Sequence, residues 1–96
     1  MAAEIVWSPK SKKSVANIGA YLAEHHSEEY ADKVLNGIER IVRELAEHPT
    51  KGTPTFKKGN IRRWRVSRHN YVLYSITPTG IAVKDVLAYR MNKKGF

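Results

Sequence analysis

The architecture of this chain is set by residues 61–89, IRRWRVSRHNYVLYSITPTGIAVKDVLAY. The segment holds three β-prone runs, at 61–67, 71–77 and 81–89, in which branched and aromatic residues are frequent. The runs are separated by the tripeptides RHN and PTG, which are turn signals, and turns this short join neighbouring antiparallel strands. The segment therefore predicts a three-stranded antiparallel sheet.

The residues before this sheet predict two helices in direct succession. The Ser-Pro pair at 8–9 begins the first helix, because Ser caps a first turn and Pro fits into it, and the apolar face closes at the two histidines 25–26. Ser27 caps the second helix, which has a strong apolar stripe and ends at the His-Pro pair 48–49. Gly37 lies inside this helix and costs about 1 kcal/mol relative to Ala. A tight helical hairpin follows from this spacing.

The complete order is strand, two helices, three strands. A first β-prone run, IVW at 5–7, precedes the helices, and a loop rich in Pro, Gly and Lys, residues 49–60, separates them from the sheet. We expect one domain over residues 1–96, of class α+β and order β-α-α-β-β-β, with the hairpin packed on a small antiparallel sheet. The first strand joins that sheet at its edge or centre, and residues 91–96 form a basic C-terminal tail.

The charge is divided between the two halves of the chain. Residues 1–48 hold six Lys and Arg against eight Asp and Glu, whereas residues 49–96 hold eleven against Asp85 alone. A one-sided cationic field attracts phosphates or acidic protein segments. There are no cysteines and no long apolar run, so we expect a cytoplasmic protein without disulfides, signal peptide or membrane span.

Arginines are concentrated around the first strand of the predicted sheet. Alternation in a strand puts Arg63 and Arg65 on one face and Trp64 and Val66 on the other. Six cations within twelve residues indicate a binding surface, for which DNA, RNA and an acidic protein segment all remain possible partners. A solvated outer face is the plainer alternative.

Histidines do not form a metal site in this sequence. His25 and His26 are adjacent on a helix and point about 100° apart, so they cannot both ligate one ion. His69 lies in a predicted turn, where an exposed histidine is the expected reading and a general base the alternative. We predict no metal, no cofactor and no small-molecule ligand.

Five segments of the chain together resemble the ParE branch of the RelE/ParE bacterial toxins. They are the opening strand with its Ser-Pro pair, AEHPTKGTP, IRRWRV, YVLYSI and the ending VKDVLAYRMN, and they span nearly the whole chain in the same order and spacing. The resemblance implies a toxin, usually encoded beside its antitoxin and linked to plasmid stabilization. Such toxins are thought to stall DNA gyrase with cleaved DNA and to be neutralised when the antitoxin wraps the sheet and helices.

The RelE branch, which cleaves mRNA on the ribosome, supplies the enzymatic alternative. That reaction needs converging cations and a proton acceptor. An arginine is common in RelE-type toxins where this chain has Tyr71, and residues 90–96, RMNKKGF, lack the tail tyrosine or His-Tyr pair of that branch. If the chain were an RNase, Arg65, His69 and Tyr89 would be its catalytic candidates.

The incomplete nuclease set favours a noncatalytic gyrase inhibitor over an enzyme. One departure from the ParE pattern is Ala88, where many ParE toxins carry a histidine. A third possibility is a toxin that has lost its activity and only binds its antitoxin. The candidate target-binding residues are Arg62, Arg63, Arg65, Arg68, Tyr89, Arg90, Met91, Asn92, Lys93 and Lys94.

Overall fold

The computed structural model describes residues 3–55 and 60–88. The elements are β1 (Glu4–Trp7), α1 (Pro9–His25), α2 (Glu28–Glu47), a 3₁₀ turn (Pro49–Lys51), β2 (Thr53–Pro54), β3 (Arg62–Ser67), β4 (Asn70–Thr77) and β5 (Gly80–Ala88). The α+β class and the predicted order of helices and strands are confirmed, with β2 added to them.

Both helices begin at the predicted caps. The Ser8 hydroxyl accepts a hydrogen bond from the Ser11 amide at 3.0 Å, and the Ser27 hydroxyl accepts one from the Tyr30 amide at 3.0 Å. These bonds satisfy backbone donors that a first helical turn leaves without a partner. Since only two residues separate α1 from α2, the helices fold back on each other as a hairpin.

The sheet is mixed, which corrects the expectation of a purely antiparallel sheet. Its strand order is β1-β5-β4-β3-β2, and all neighbours are antiparallel except β1 and β5, which are parallel. The helical hairpin returns the chain to the end of the sheet where β1 finished, and β2 then reverses it once more. As a result β3, and with it β5, runs in the direction of β1.

The strand ends differ from the predicted runs by about one residue, and two regions show differences that affect the site. Residues 49–55 are not simply loop, because they contain the 3₁₀ turn and the two-residue strand β2. The turn between β3 and β4 is shorter than predicted, since Asn70 already pairs with Ala88 of β5. Tyr89, predicted as the last residue of β5, lies outside the described residues.

The helical hairpin covers one face of the sheet. Ile38, Val42 and Leu45 of α2 are almost fully buried and belong to one apolar cluster with Val72 and Tyr74 of β4. No helix within the described residues is long and apolar enough to cross a membrane.

Candidate functional site

The predicted alternation along β3 is present. Arg63 and Arg65 are exposed, whereas Trp64 is partly buried against the core and Val66 is buried. Tyr71 of β4 pairs with Arg65, and its ring centroid lies 5.9 Å from the Arg63 guanidinium carbon, within reach of a cation–π contact. We call Arg63, Arg65 and Tyr71 the outer ridge, since they stand on the sheet face opposite to the one that packs on the helices.

Arg62 is held differently from its two neighbours. Its Nη1 donates hydrogen bonds to the Gly52 carbonyl at 2.6 Å and to the Thr50 carbonyl at 3.3 Å. Its strand partner is Tyr74 of β4, whose side chain is in the core. The guanidinium therefore fastens the segment after α2 to the sheet.

Tyr74 anchors the same segment from inside the core. Its hydroxyl donates to the Pro49 carbonyl at 2.6 Å and accepts from the Gly52 amide at 3.0 Å. Burial raises the pKa of this phenol, while the Gly52 hydrogen bond and the Arg62 charge oppose that rise. The phenol is thus a structural group that remains neutral at physiological pH.

A groove opens between the helical hairpin and the β3–β4 turn. It has a volume of about 560 Å³ and lies at the end of the sheet where β5 reaches Ala88. We call it the hairpin groove; its lining is Asn17, Ile18, Tyr21, Leu22, His26, Tyr30, Val34, Ser67, Arg68, His69, Asn70 and Ala88. Aromatic and aliphatic side chains from the helices form one wall, and polar side chains of the turn form the other.

Of the three catalytic candidates, Arg65 and His69 lie within the described residues and Tyr89 lies outside them. His69 lines the hairpin groove, whereas Arg65 borders a shallow hollow with Thr53, Arg63 and Trp64. The Arg65 guanidinium donates to the Arg68 carbonyl at 3.2 Å. Residues 3–55 and 60–88 contain no cluster of His, Asp and Glu suited to a metal ion.

The other target-binding candidates fall into two groups. Arg68 is exposed in the β3–β4 turn and lines the hairpin groove. Tyr89, Arg90, Met91, Asn92, Lys93 and Lys94 lie outside the described residues.

Sequence reasoning missed two features near this site. One is the hairpin groove, whose signal in the sequence is the pair of tyrosines at 21 and 30. In the structure these two side chains are 58% and 39% exposed. The other is Asp85, the single acid of the basic half, which accepts a hydrogen bond from the Ser14 hydroxyl at 2.6 Å and lies 3.7 Å from Lys10 Nζ. This carboxylate ties α1 to β5.

Residues 5–92 match the model of a protein family described as the ParE toxin of the type II toxin-antitoxin system, parDE. A structure of the chromosomal ParDE TA system from P. aeruginosa has a similar fold, with a TM-score of 0.78 and 14% identity over 93% of this chain and 98% of that chain.

Two structures from Staphylococcus aureus share the fold less closely. The YoeB-YefM complex gives a TM-score of 0.57 and the YoeB dimer 0.58, each at 14% identity over 94% of this chain and 99% of that chain. A search of the curated proteins finds no match.

Proposed function

Because this chain belongs to the ParE toxin family of type II toxin-antitoxin systems, we propose that it is a noncatalytic poison of DNA gyrase, held inactive by a cognate antitoxin. In this proposal the protein acts in the cytoplasm by binding gyrase and stalling it with cleaved DNA. The observation that carries the proposal is the outer ridge of exposed arginines on the sheet face opposite to the helices.

The outer ridge suits a binding role. Arg63 and Arg65 are exposed and one strand residue apart, which places two guanidiniums on the same face of β3. A guanidinium engages a carboxylate or a phosphate in two parallel hydrogen bonds, so the ridge can bind an acidic protein segment or a DNA backbone. A gyrase complex with DNA offers both chemistries.

The RNase alternative would use Arg65 and His69 together with Tyr89, which lies outside the described residues. General acid–base catalysis requires the proton acceptor and the stabilising cations to converge on one reacting group. Here Arg65 belongs to the outer ridge, while His69 faces the hairpin groove. The Arg65 guanidinium also donates to the carbonyl of Arg68, the residue before His69, so both residues belong to the region of the β3–β4 turn and the RNase alternative is decided by experiment.

The antitoxin is proposed to cover apolar side chains that the folded chain leaves exposed. Val6 and Ile76 are 51% and 44% exposed, and Tyr21 and Tyr30 are exposed on the helices. Exposed apolar and aromatic side chains are a common feature of protein–protein interfaces. A partner that reaches all four must contact both the sheet and the helical hairpin.

The decisive experiment is a gyrase supercoiling assay with purified toxin, in which linear DNA is scored after protein denaturation. We expect a dose-dependent loss of supercoiling together with trapped linear DNA. Truncation after Tyr89 should abolish this effect while antitoxin binding is retained, because the tail supplies target contacts. Supercoiling that continues at high toxin excess would refute gyrase as the target.

The RNase alternative is tested on the same preparation. Cleavage of mRNA on translating ribosomes, lowered by orders of magnitude in Tyr89→Phe and His69→Ala, would replace the gyrase proposal. We expect no such cleavage by the wild-type protein.

A further inference from the structure

We propose that the C-terminal segment 89–96, YRMNKKGF, docks in the hairpin groove of its own chain. The groove would then be an internal receptor for the tail, and any partner that enters it would have to displace the tail. This inference is independent of which target the toxin acts on.

The first argument is position. Ala88 is the last described residue of β5 and also part of the groove lining, so the tail begins at the groove wall. No linker has to be ordered before contact is made. A segment tethered this closely to its site has an effective concentration on the order of millimolar, which lets a weak contact become populated.

The second argument is length. The α1 side of the groove runs from Asn17 to His26, nine helical steps that cover about 14 Å. Eight residues in extended conformation reach about 26 Å. The segment 89–96 is therefore long enough to cross the end of the sheet and follow this wall to the end of α1.

The third argument is the chemistry of the two surfaces. The helical wall presents Ile18, Leu22 and Val34 with two tyrosines, an apolar surface open to solvent. The tail carries Tyr89, Met91 and Phe96, of which the aromatic residues bury large areas and Met fills irregular gaps. Docking removes apolar surface of both partners from water.

The fourth argument is charge. Glu28 and Glu29 lie in the chain between His26 and Tyr30, at the end of the groove where α1 meets α2. Neither forms an ion pair with another described residue. The cations at 93–94 would approach this acidic end when the tail lies along the groove.

Docking also fits the proposed target surface. The tail would be held beside the turn that carries Arg68, so that its cations and those of the sheet are presented together. A segment that is ordered before it meets its target loses less conformational entropy on binding.

The test uses cross-linking in the full-length chain, which has no native cysteine. Asn17→Cys in the groove is combined with Asn92→Cys in the tail. The matched control pairs Asn92→Cys with Glu39→Cys, an exposed α2 position outside the groove. Loop closure alone favours the control, because residues 39 and 92 are closer in sequence.

We expect the groove pair to form its disulfide at least about tenfold faster than the control under mild oxidation, and the difference to vanish in concentrated urea. Equal rates for the two pairs in the folded protein would overturn the proposal.

A second measurement leaves the tail sequence intact. Trypsin cleavage after Arg90, Lys93 and Lys94 is followed by mass spectrometry in the wild type, in Tyr21→Ala/Tyr30→Ala and in the control Val6→Ala/Ile76→Ala. The groove variant should be cleaved several-fold faster, and the control should match the wild type. Wild-type cleavage as fast as that of the groove variant would mean that the tail does not dock.

Discussion

Tyr74 shows how one buried hydroxyl can position a whole segment. Its two hydrogen bonds, to the Pro49 carbonyl and from the Gly52 amide, hold the chain that leads from α2 to the sheet. Tyr74→Phe keeps the ring but leaves both backbone groups without their partner. We expect a loss of about 1–3 kcal/mol in the free energy of unfolding, measured by urea denaturation. Tyr21→Phe is the control, and its effect should stay within about 0.5 kcal/mol because Tyr21 is exposed.

The same phenol makes stability depend on alkaline pH. Burial is the main cause that raises the pKa of Tyr74 above its ordinary value of 10.0. Above pH 10 the unfolded chain therefore loses this proton first, and the stability that comes from the neutral phenol is lost as pH rises through the folded pKa. The stability difference between wild type and Tyr74→Phe should be constant below pH 10 and shrink above it. A difference that grows with alkaline pH would contradict the assignment.

Asp85 and Glu39 form a comparison between a buried and an exposed carboxylate. Asp85 accepts hydrogen bonds from the Ser14 hydroxyl and the Val86 amide, whereas Glu39 has a single exposed ion pair of 4.0 Å with Arg43. Asp85→Ala should cost about 1.5–3 kcal/mol of unfolding free energy, because buried donors lose a charged acceptor. Glu39→Ala should change it by about 0.5 kcal/mol or less. Equal effects in thermal denaturation would mean that Asp85 does not tie α1 to β5.

At the scale of elements, the parallel contact between β1 and β5 depends on a glycine. A Cβ atom at Gly80 would overlap the Glu4 carbonyl oxygen, which is backbone and cannot rotate away. Gly80→Ala should therefore displace β1 and destabilise the protein by about 1–3 kcal/mol or more. Hydrogen exchange should locate the damage at the Glu4 amide, which bonds the Thr79 carbonyl at 2.8 Å.

Gly37 provides the matched control on α2. A Cβ atom there would meet nothing within 4 Å, so Gly37→Ala should raise the unfolding free energy by about 1 kcal/mol through helix propensity alone. If both alanine variants were destabilised alike, the steric account of Gly80 would be wrong.

The elements that sequence predicts well are those with a local signal. The helices have caps and a periodic apolar face, and β3, β4 and β5 are bounded by turn residues, so both groups were predicted. β2 was missed because two residues in a loop rich in Pro and Gly carry no periodicity. The direction of β1 depends on that missed reversal, and so it was not predictable from local pattern.

The candidate site was predicted less completely, for a related reason. Alternation along β3 placed Arg63 and Arg65 correctly, since their exposure follows from the strand itself. The role of Arg62 depends on carbonyls ten and twelve residues away, at Gly52 and Thr50. The hairpin groove combines side chains from five elements, α1, α2, β3, β4 and β5, and no single segment of sequence contains it.

At the scale of the whole molecule, the effect of net charge on target binding can be distinguished from the effect of where the arginines stand. The two halves differ strongly in charge, yet Arg63 and Arg65 on β3 and Arg40 and Arg43 on α2 are all exposed. Removing either pair lowers the net charge by the same amount. Long-range attraction depends on the overall field and weakens with salt, whereas a docked guanidinium depends on its position.

The last prediction compares these two arginine pairs, because removing either one lowers the net charge by the same amount. Arg63→Ser/Arg65→Ser should weaken gyrase inhibition at least about tenfold, while Arg40→Ser/Arg43→Ser should change it by less than about twofold, because a lost docked contact is felt mainly in the dissociation rate. Both variants are titrated in the supercoiling assay at two salt concentrations. If they lose potency equally and only at low salt, the cationic half acts as a diffuse attractive field and the outer ridge is not a binding site.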